Sequence, residues 1–130
     1  MLVPSRNGIK VNPHERGLIM ASVRFGLTLG QRGVFFGATT VKEMLSMARE
    51  ADGADALTSV WVGDSLTAKP RPESLTLLGA LTGVTENVTL GVGCMASFTV
   101  RDPIQFSYQW ANLDLLSHGR MLLAACTGLV

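Results

Sequence analysis

In this chain of 130 residues, short apolar runs give out at Gly30, at Asp64 and Ser65, at Gly93 and Cys94, and at Thr127. The set combines a carboxylate, two hydroxyls, a thiol and two glycines. Glycines let a flat ligand approach the backbone, and the polar groups can fix it by hydrogen bonds, so these positions read as the lining of a cofactor or substrate pocket. Other chemistries are not spelled out. Gly26, Gly30 and Gly33 lack the spacing of a dinucleotide fingerprint, Gly91 and Gly93 lead into an apolar segment instead of a helix start, and neither a phosphate-binding loop nor a metal-binding histidine pair is present. Plainer roles compete. Asp64 can simply cap its loop, and Cys94 and Cys126, which approach each other if the runs that carry them are neighbouring strands, read best as buried reduced thiols in a cytosol. Lys69 and Arg71, flanking Pro70 and Pro72, fit either a phosphate contact or, more simply, a solvated loop.

The elements that must carry these residues are legible from periodicity. Apolar runs at Phe25 to Leu29, Ser59 to Val62, Val88 to Val92 and Met121 to Cys126 alternate with helical stretches, the order of right-handed parallel βα units. Thr40 and Glu43 have capping-box spacing ahead of Val41, Met44, Leu45 and Ala48. A second helix opens at Pro72 and Glu73 and buries Leu75, Leu78 and Leu81; its thin polar face points to a subunit contact or to a weakly polar surface. A third opens with Asp102 and Pro103 and runs through Ile104, Tyr108, Ala111 and Leu115. Strand three alternates Val88, Leu90 and Val92 with Thr89, Gly91 and Gly93, so its small face leaves room for something. A barrel of about 250 residues spends roughly 30 on each unit, so the fold class is α/β, with parallel βα units forming about half of a TIM (β/α)8 barrel over residues 23–130. Residues 1–22 read as a loose extension, with Met1 or Met20 as the start. An open doubly wound sheet is the competing architecture. It would place a nucleotide where the strand order reverses.

Composition narrows the partners. Apolar residues make up 47% of the chain, charged residues 16%, and the net charge is +1, which leaves nucleic acid and anionic membranes without electrostatic attraction. The apolar runs are too short to span a bilayer, and the first twenty residues lack a secretory core, so the cytoplasm is the default location.

Several segments resemble the luciferase-like monooxygenases: Ser59-Val60-Trp61-Val62-Gly63-Asp64-Ser65, Leu90-Gly91 after Thr85-Glu86-Asn87-Val88, Arg101-Asp102-Pro103, and Leu113-Asp114-Leu115-Leu116-Ser117-His118-Gly119-Arg120. The resemblance covers about Val23 to Gly128. It implies a (β/α)8 barrel using FMN or the deazaflavin F420, with the flavin ring over the carboxyl ends of the strands and subunits commonly paired through early helices. It also implies a chain roughly twice as long or more, with the flavin phosphate held mainly in later units. Asp64 matches the acidic residue after strand two, but Ser65 stands where many relatives have histidine, so a proton shuttle near neutral pH is lost there. Gly93-Cys94 matches the site of a non-proline cis peptide in many relatives. Leu129 aligns with a glutamate of the F420-dependent sugar-phosphate dehydrogenases, which argues against that reaction.

The remaining functional-looking residues have structural readings. His118 fits a helix end, Asp114 and Arg120 an internal tie at the amino end of strand four, and Trp61 and Trp110 core or helix-sheet packing. Two functions from different classes follow. One is a flavin-dependent oxidoreductase in which FMN with oxygen, or F420 by hydride exchange, acts on a small organic substrate. The other is a non-catalytic half-barrel from a truncated reading frame, whose edges and inner face are covered by a second copy or a separate half-barrel.

Overall fold

The computed structural model describes residues 23–65 and 68–127, so the expected extension 1–22 and the Leu129 position lie outside the described residues. Four parallel strands run β1 (Phe25–Thr28), β2 (Leu57–Asp64), β3 (Thr89–Met95) and β4 (Met121–Ala125), in the spatial order β1-β2-β3-β4. Between them lie α1 (Val41–Asp52), α2 (Ser74–Thr82) and α3 (Pro103–Leu116), with short 3-10 helices at Gln31–Phe36 and Ala96–Val100. Right-handed crossovers joining strands in unbroken order put the helices on one face of the sheet. That is the arrangement of consecutive (β/α)8 units; the reversal that defines a doubly wound sheet is missing from the described strands.

Each helix starts where its cap dictates. The Thr40 hydroxyl accepts the Glu43 amide at 3.1 Å and the Glu43 carboxylate accepts the Thr40 amide at 2.7 Å, closing the capping box of α1. The Thr40 amide, helped by the Thr39 and Thr40 hydroxyls, holds the Glu43 carboxyl below its ordinary pKa. Asp102 caps α3 by accepting the Gln105 amide at 2.8 Å, with Pro103 in the first turn. The start of α2 differs from the expected Pro72-Glu73 opening. Glu73 is itself the cap, accepting the Thr76 amide at 2.7 Å, so Pro72 precedes the helix.

The core lies between the helices and one face of the sheet. Leu75, Leu78 and Leu81 of α2 are buried there as expected, together with Met44 and Ala48 of α1, Val60 and Val62 of β2, and Leu90 and Val92 of β3. Val41 stays exposed. The face expected for α3 is corrected: Ile104, Tyr108 and Leu115 are 81%, 74% and 73% exposed, while Phe106 and Leu113 are buried and Trp110 packs against the core. This helix is apolar around most of its circumference, so spacing alone cannot choose a face. Aromatic contact chooses it, because the Phe106 ring lies 5.6 Å from Phe98 edge-on and 5.8 Å from Trp110.

The opposite, helix-free face of the sheet is organised by Trp61. Its indole N–H donates to the Ser59 hydroxyl at 2.8 Å, and a Cβ at Gly26 or Gly91 would overlap the ring or its partner. The room expected on the small face of β3 is therefore filled at Gly91. Trp61 belongs neither to the core nor to helix-sheet packing, since residues 59, 61 and 63 alternate with the buried Val60, Val62 and Asp64.

The amino ends of the strands are tied by polar side chains. Asp52, the last residue of α1, accepts the amides of Glu86, Asn87 and Val88 at 2.9, 2.7 and 2.8 Å and so fixes the turn into β3. Partial burial works against its ionisation, but the Val88, Glu86 and Asn87 hydrogen bonds outweigh that and hold its pKa below the usual 3.8. Arg120 does not pair with Asp114. It donates to the carbonyls of Ser117, Val88 and Thr85 at 2.7, 2.7 and 2.8 Å, while Asp114 accepts the Met121 amide at 3.4 Å. The tie at the start of β4 is real, but its acceptors are backbone carbonyls and the Thr85 hydroxyl. His118 sits at a left-handed φ of 56°, where its backbone turns the chain out of α3.

A folded-state pKa below the unfolded one adds stability that is present above pH 3.8 and disappears as pH falls through the folded value. Urea unfolding of Asp52→Asn at neutral pH is expected to show a loss of about 1 to 2 kcal/mol. The difference from wild type should shrink as pH falls below 3.8 and through the lowered folded-state value; an unchanged difference in strong acid would assign the loss to something other than the carboxylate.

Candidate functional site

The carboxyl ends of the strands are built around Asp64, the last residue of β2, which is 8% exposed. One of its oxygens accepts the Ser97 amide at 2.7 Å and the other the Ser74 hydroxyl at 2.9 Å. Arg101 stands 3.7 Å away and donates to Glu73 at 2.7 Å and to the Ser97 hydroxyl at 2.7 Å. One carboxylate thus joins the end of β2 to the first turn of α2 and to the 3-10 helix after β3. Burial raises the cost of ionising Glu73, yet the Thr76 amide and Arg101 overcome it and lower its pKa.

Gln31, 2% exposed, performs the same task for the loop after β1. Its amide donates to the Pro72 carbonyl at 3.1 Å, and its oxygen accepts the Gly63 amide. Gln31 was legible only as a residue following strand one, and Ser74 and Ser97 carried no signal. Arg101 did lie within a recognised segment.

Register brings most of the expected site residues to one rim. Asp64 pairs with Met95, and Met95 with Ala125, so Ser65, Cys94 and Thr127 follow or flank a common level, with Gly30 beyond β1 at the same end. Their availability differs. A Cβ at Gly30 would meet nothing within 4 Å and one at Gly93 only the Val62 carbonyl at 3.9 Å, so both leave open space; Thr127 is exposed. The Ser65 hydroxyl donates to the Lys69 carbonyl at 2.8 Å. Asp64 has both oxygens engaged by the protein.

Two expectations at Cys94 are corrected. From Val92 to Met95, β3 takes three steps where β2 and β4 each take two, so Gly93-Cys94 forms a bulge; its peptide is trans, as are all peptides of the described residues. The cysteines are not buried reduced thiols. Cys94 is exposed and joined to Cys126 by a disulfide, with Cα atoms 5.8 Å apart, because the bulge frees Cys94 from strand alternation beside the end of β4.

Basic residues are distributed unevenly over this rim. Arg101 is spent on Asp64 and Glu73, whereas the half-buried Arg71 guanidinium lies against Gly63, where a Cβ would overlap it. A cleft of about 790 Å³ lies at the other end of the sheet, lined by Arg49, Asp52, Thr85, His118 and Arg120; Asp52 and Arg120 there are engaged by the backbone ties already described.

The sequence profile described as luciferase-like monooxygenase matches residues 16–129. No curated protein sequence matches the chain significantly. Among solved structures, it is similar to monooxygenase RslO1 from Streptomyces bottropensis, at 22% identity and a TM-score of 0.62 over 79% of this chain and 32% of that one. It is similar to the coenzyme F420 dependent tetrahydromethanopterin reductase from Methanopyrus kandleri, at 20% identity and 0.62 over 81% and 27%. The oxygenating constituent of 3,6-diketocamphane monooxygenase from Pseudomonas putida, solved with FMN, gives 15% identity and 0.64 over 84% and 30%. These likenesses show the fold, of which this chain spans about a third or less of each structure's length.

Asp64→Ala is expected to cost about 2 to 4 kcal/mol in chemical unfolding, because the Ser97 amide and the Ser74 hydroxyl lose their acceptor in a buried site. A loss below about 0.5 kcal/mol, the usual effect of a surface substitution, would remove Asp64 from the centre of this network.

Proposed function

Since the chain belongs to the luciferase-like monooxygenase family, we propose that it carries the first four βα units of a flavin-dependent oxidoreductase acting on a small organic substrate. The observation that supports this most is the open rim at Gly30, Gly93 and Thr127, held on a platform whose polar groups are already satisfied. FMN and F420 both fit the reading, because one structural neighbour is described as F420 dependent and another was solved with FMN.

Gly30 and Gly93 would hold a flavin ring close to the backbone, because their missing side chains leave open space. Ser65 and Thr127 supply hydroxyls at its edge. Asp64 acts one step back, as the residue that positions Ser97 and the end of β2, because its own oxygens are occupied. The bound cofactor supplies the redox chemistry, hydride exchange for F420 or reaction with oxygen for FMN, and the protein supplies shape, orientation and exclusion of water. Ser65 cannot serve as a base near neutral pH. A proton donor, where the reaction needs one, comes from elsewhere. A cytoplasmic location goes with this reading.

A second reading is a non-catalytic half-barrel that binds or assembles. It is favoured by the helix-free face, where Leu122 is 47% exposed beside the Trp61 platform. A second copy of the chain, or a separate half-barrel, would cover that face.

Titration with FMN and with F420, read by flavin fluorescence and by amide resonances, separates the two. Saturable binding of either cofactor with shifts at Gly30, Gly93 and Thr127 is expected. A folded chain that binds neither cofactor would leave the assembly reading.

A further inference from the structure

The rim holds one strong donor that the protein leaves unspent. Arg71 is half-buried, and its only hydrogen bond among the described residues runs from Nε to the Lys69 carbonyl at a long 3.4 Å. The two terminal nitrogens of its guanidinium make none among the described residues. Among the described residues the ion pairs are those of Arg101 with Asp64 and Glu73, so no described carboxylate lies within 4.0 Å of Arg71. The group nevertheless has a defined seat. It lies against Gly63, on the same side of β2 as Trp61, and the oxygen of Gln31 stands 3.6 Å from where a Gly63 side chain would begin. A Cβ at Gly63 would overlap the guanidinium where it now rests, so the absent side chain gives Arg71 its seat. Asp64 points to the other side of the strand and is saturated by Ser74, Ser97 and Arg101, so it cannot neutralise Arg71.

A guanidinium taken partly out of water at the end of β2, with no counter-charge among the described residues, is suited to receive an oxyanion through two parallel N–H bonds. We propose that Arg71, seated on Gly63, is an oxyanion-binding site at the end of β2 that takes the carboxylate, sulfonate or phosphate group of a bound ligand. The inference rests on the reading that ligands enter at this rim, and it deepens it by naming the charge they carry. The oxyanion has two possible sources, an acidic substrate or the phosphate of FMN.

The test follows the Gly63 amide and the Arg71 Nε–H of the full isotope-labelled chain while sodium methanesulfonate, FMN or riboflavin is added. Saturable shifts at both positions with methanesulfonate are expected and assign the site to an acidic substrate. Saturation with FMN, but with neither riboflavin nor methanesulfonate, assigns it to the cofactor phosphate. In either case Arg71→Gln should weaken binding about tenfold or more while the amide spectrum stays that of a folded chain, and Arg71→Lys, keeping charge without the fork, should fall between. Shifts that rise linearly without saturation in the wild type with both methanesulfonate and FMN, or equal affinity in Arg71→Gln, would overturn the proposal. The broader reading fails separately: if Gly30, Gly93 and Thr127 respond to no flavin while Arg71 still binds methanesulfonate, the rim is an anion site without a cofactor.

Discussion

A carboxylate buried at the end of a strand must be answered by donors, because taking it out of water costs several kcal/mol. At Asp64 the donors are the Ser97 amide, the Ser74 hydroxyl and, at longer range, Arg101. Each comes from a different segment. Satisfying one charge therefore fixes the start of α2, the 3-10 helix after β3 and the approach to α3 relative to β2. Arg101 carries the constraint outward to Glu73, which is also the cap of α2. The loops that would face a ligand are held by this network before any ligand arrives, which is the preorganisation a binding rim needs.

The two ends of the sheet are built differently. At the amino end, Asp52 and Arg120 spend most of their hydrogen-bonding capacity on backbone groups of the turn into β3 and the start of β4, so these two charges hold structure. At the carboxyl end, Asp64 and Gln31 are similarly consumed, but Gly30, Gly93 and Arg71 retain open space or unused donors. The two faces differ as well. One is packed by helices, while the other carries the Trp61 ring, fitted over glycines on both neighbouring strands. Gly26 and Gly91 are thus explained by the width of one indole.

Much of this was legible in the residues. Four apolar runs at even spacing gave the strands, and Thr40, Asp102 and Pro103 marked two helix starts, because capping depends on local side-chain chemistry. The limits were physical too. The outer face of α3 could not be read, since Ile104, Tyr108 and Leu115 are as apolar as Phe106 and Leu113; only contact with Phe98 and Trp110 decides between them. Adjacent strands three and four put Cys94 and Cys126 within reach of each other, but the preference for reduced thiols rested on an assumed compartment, and the bulge at Gly93-Cys94 that brings them together leaves no periodic signal. Asp64 stood out by position, but its partners Ser74 and Ser97 are separated from it by 10 and 33 residues and belong to ordinary residue types. Long-range polar networks leave no periodic trace.

The claim that one buried carboxylate organises the rim is tested most directly by hydrogen exchange at the Ser97 amide. Bonded to Asp64 inside the protein, it should exchange as slowly as the Leu90 amide, which is bonded to the Arg120 carbonyl. Exchange at the rate of the exposed neighbour Thr99 would mean that the bond opens freely, and the network would then not hold the carboxyl end of the sheet.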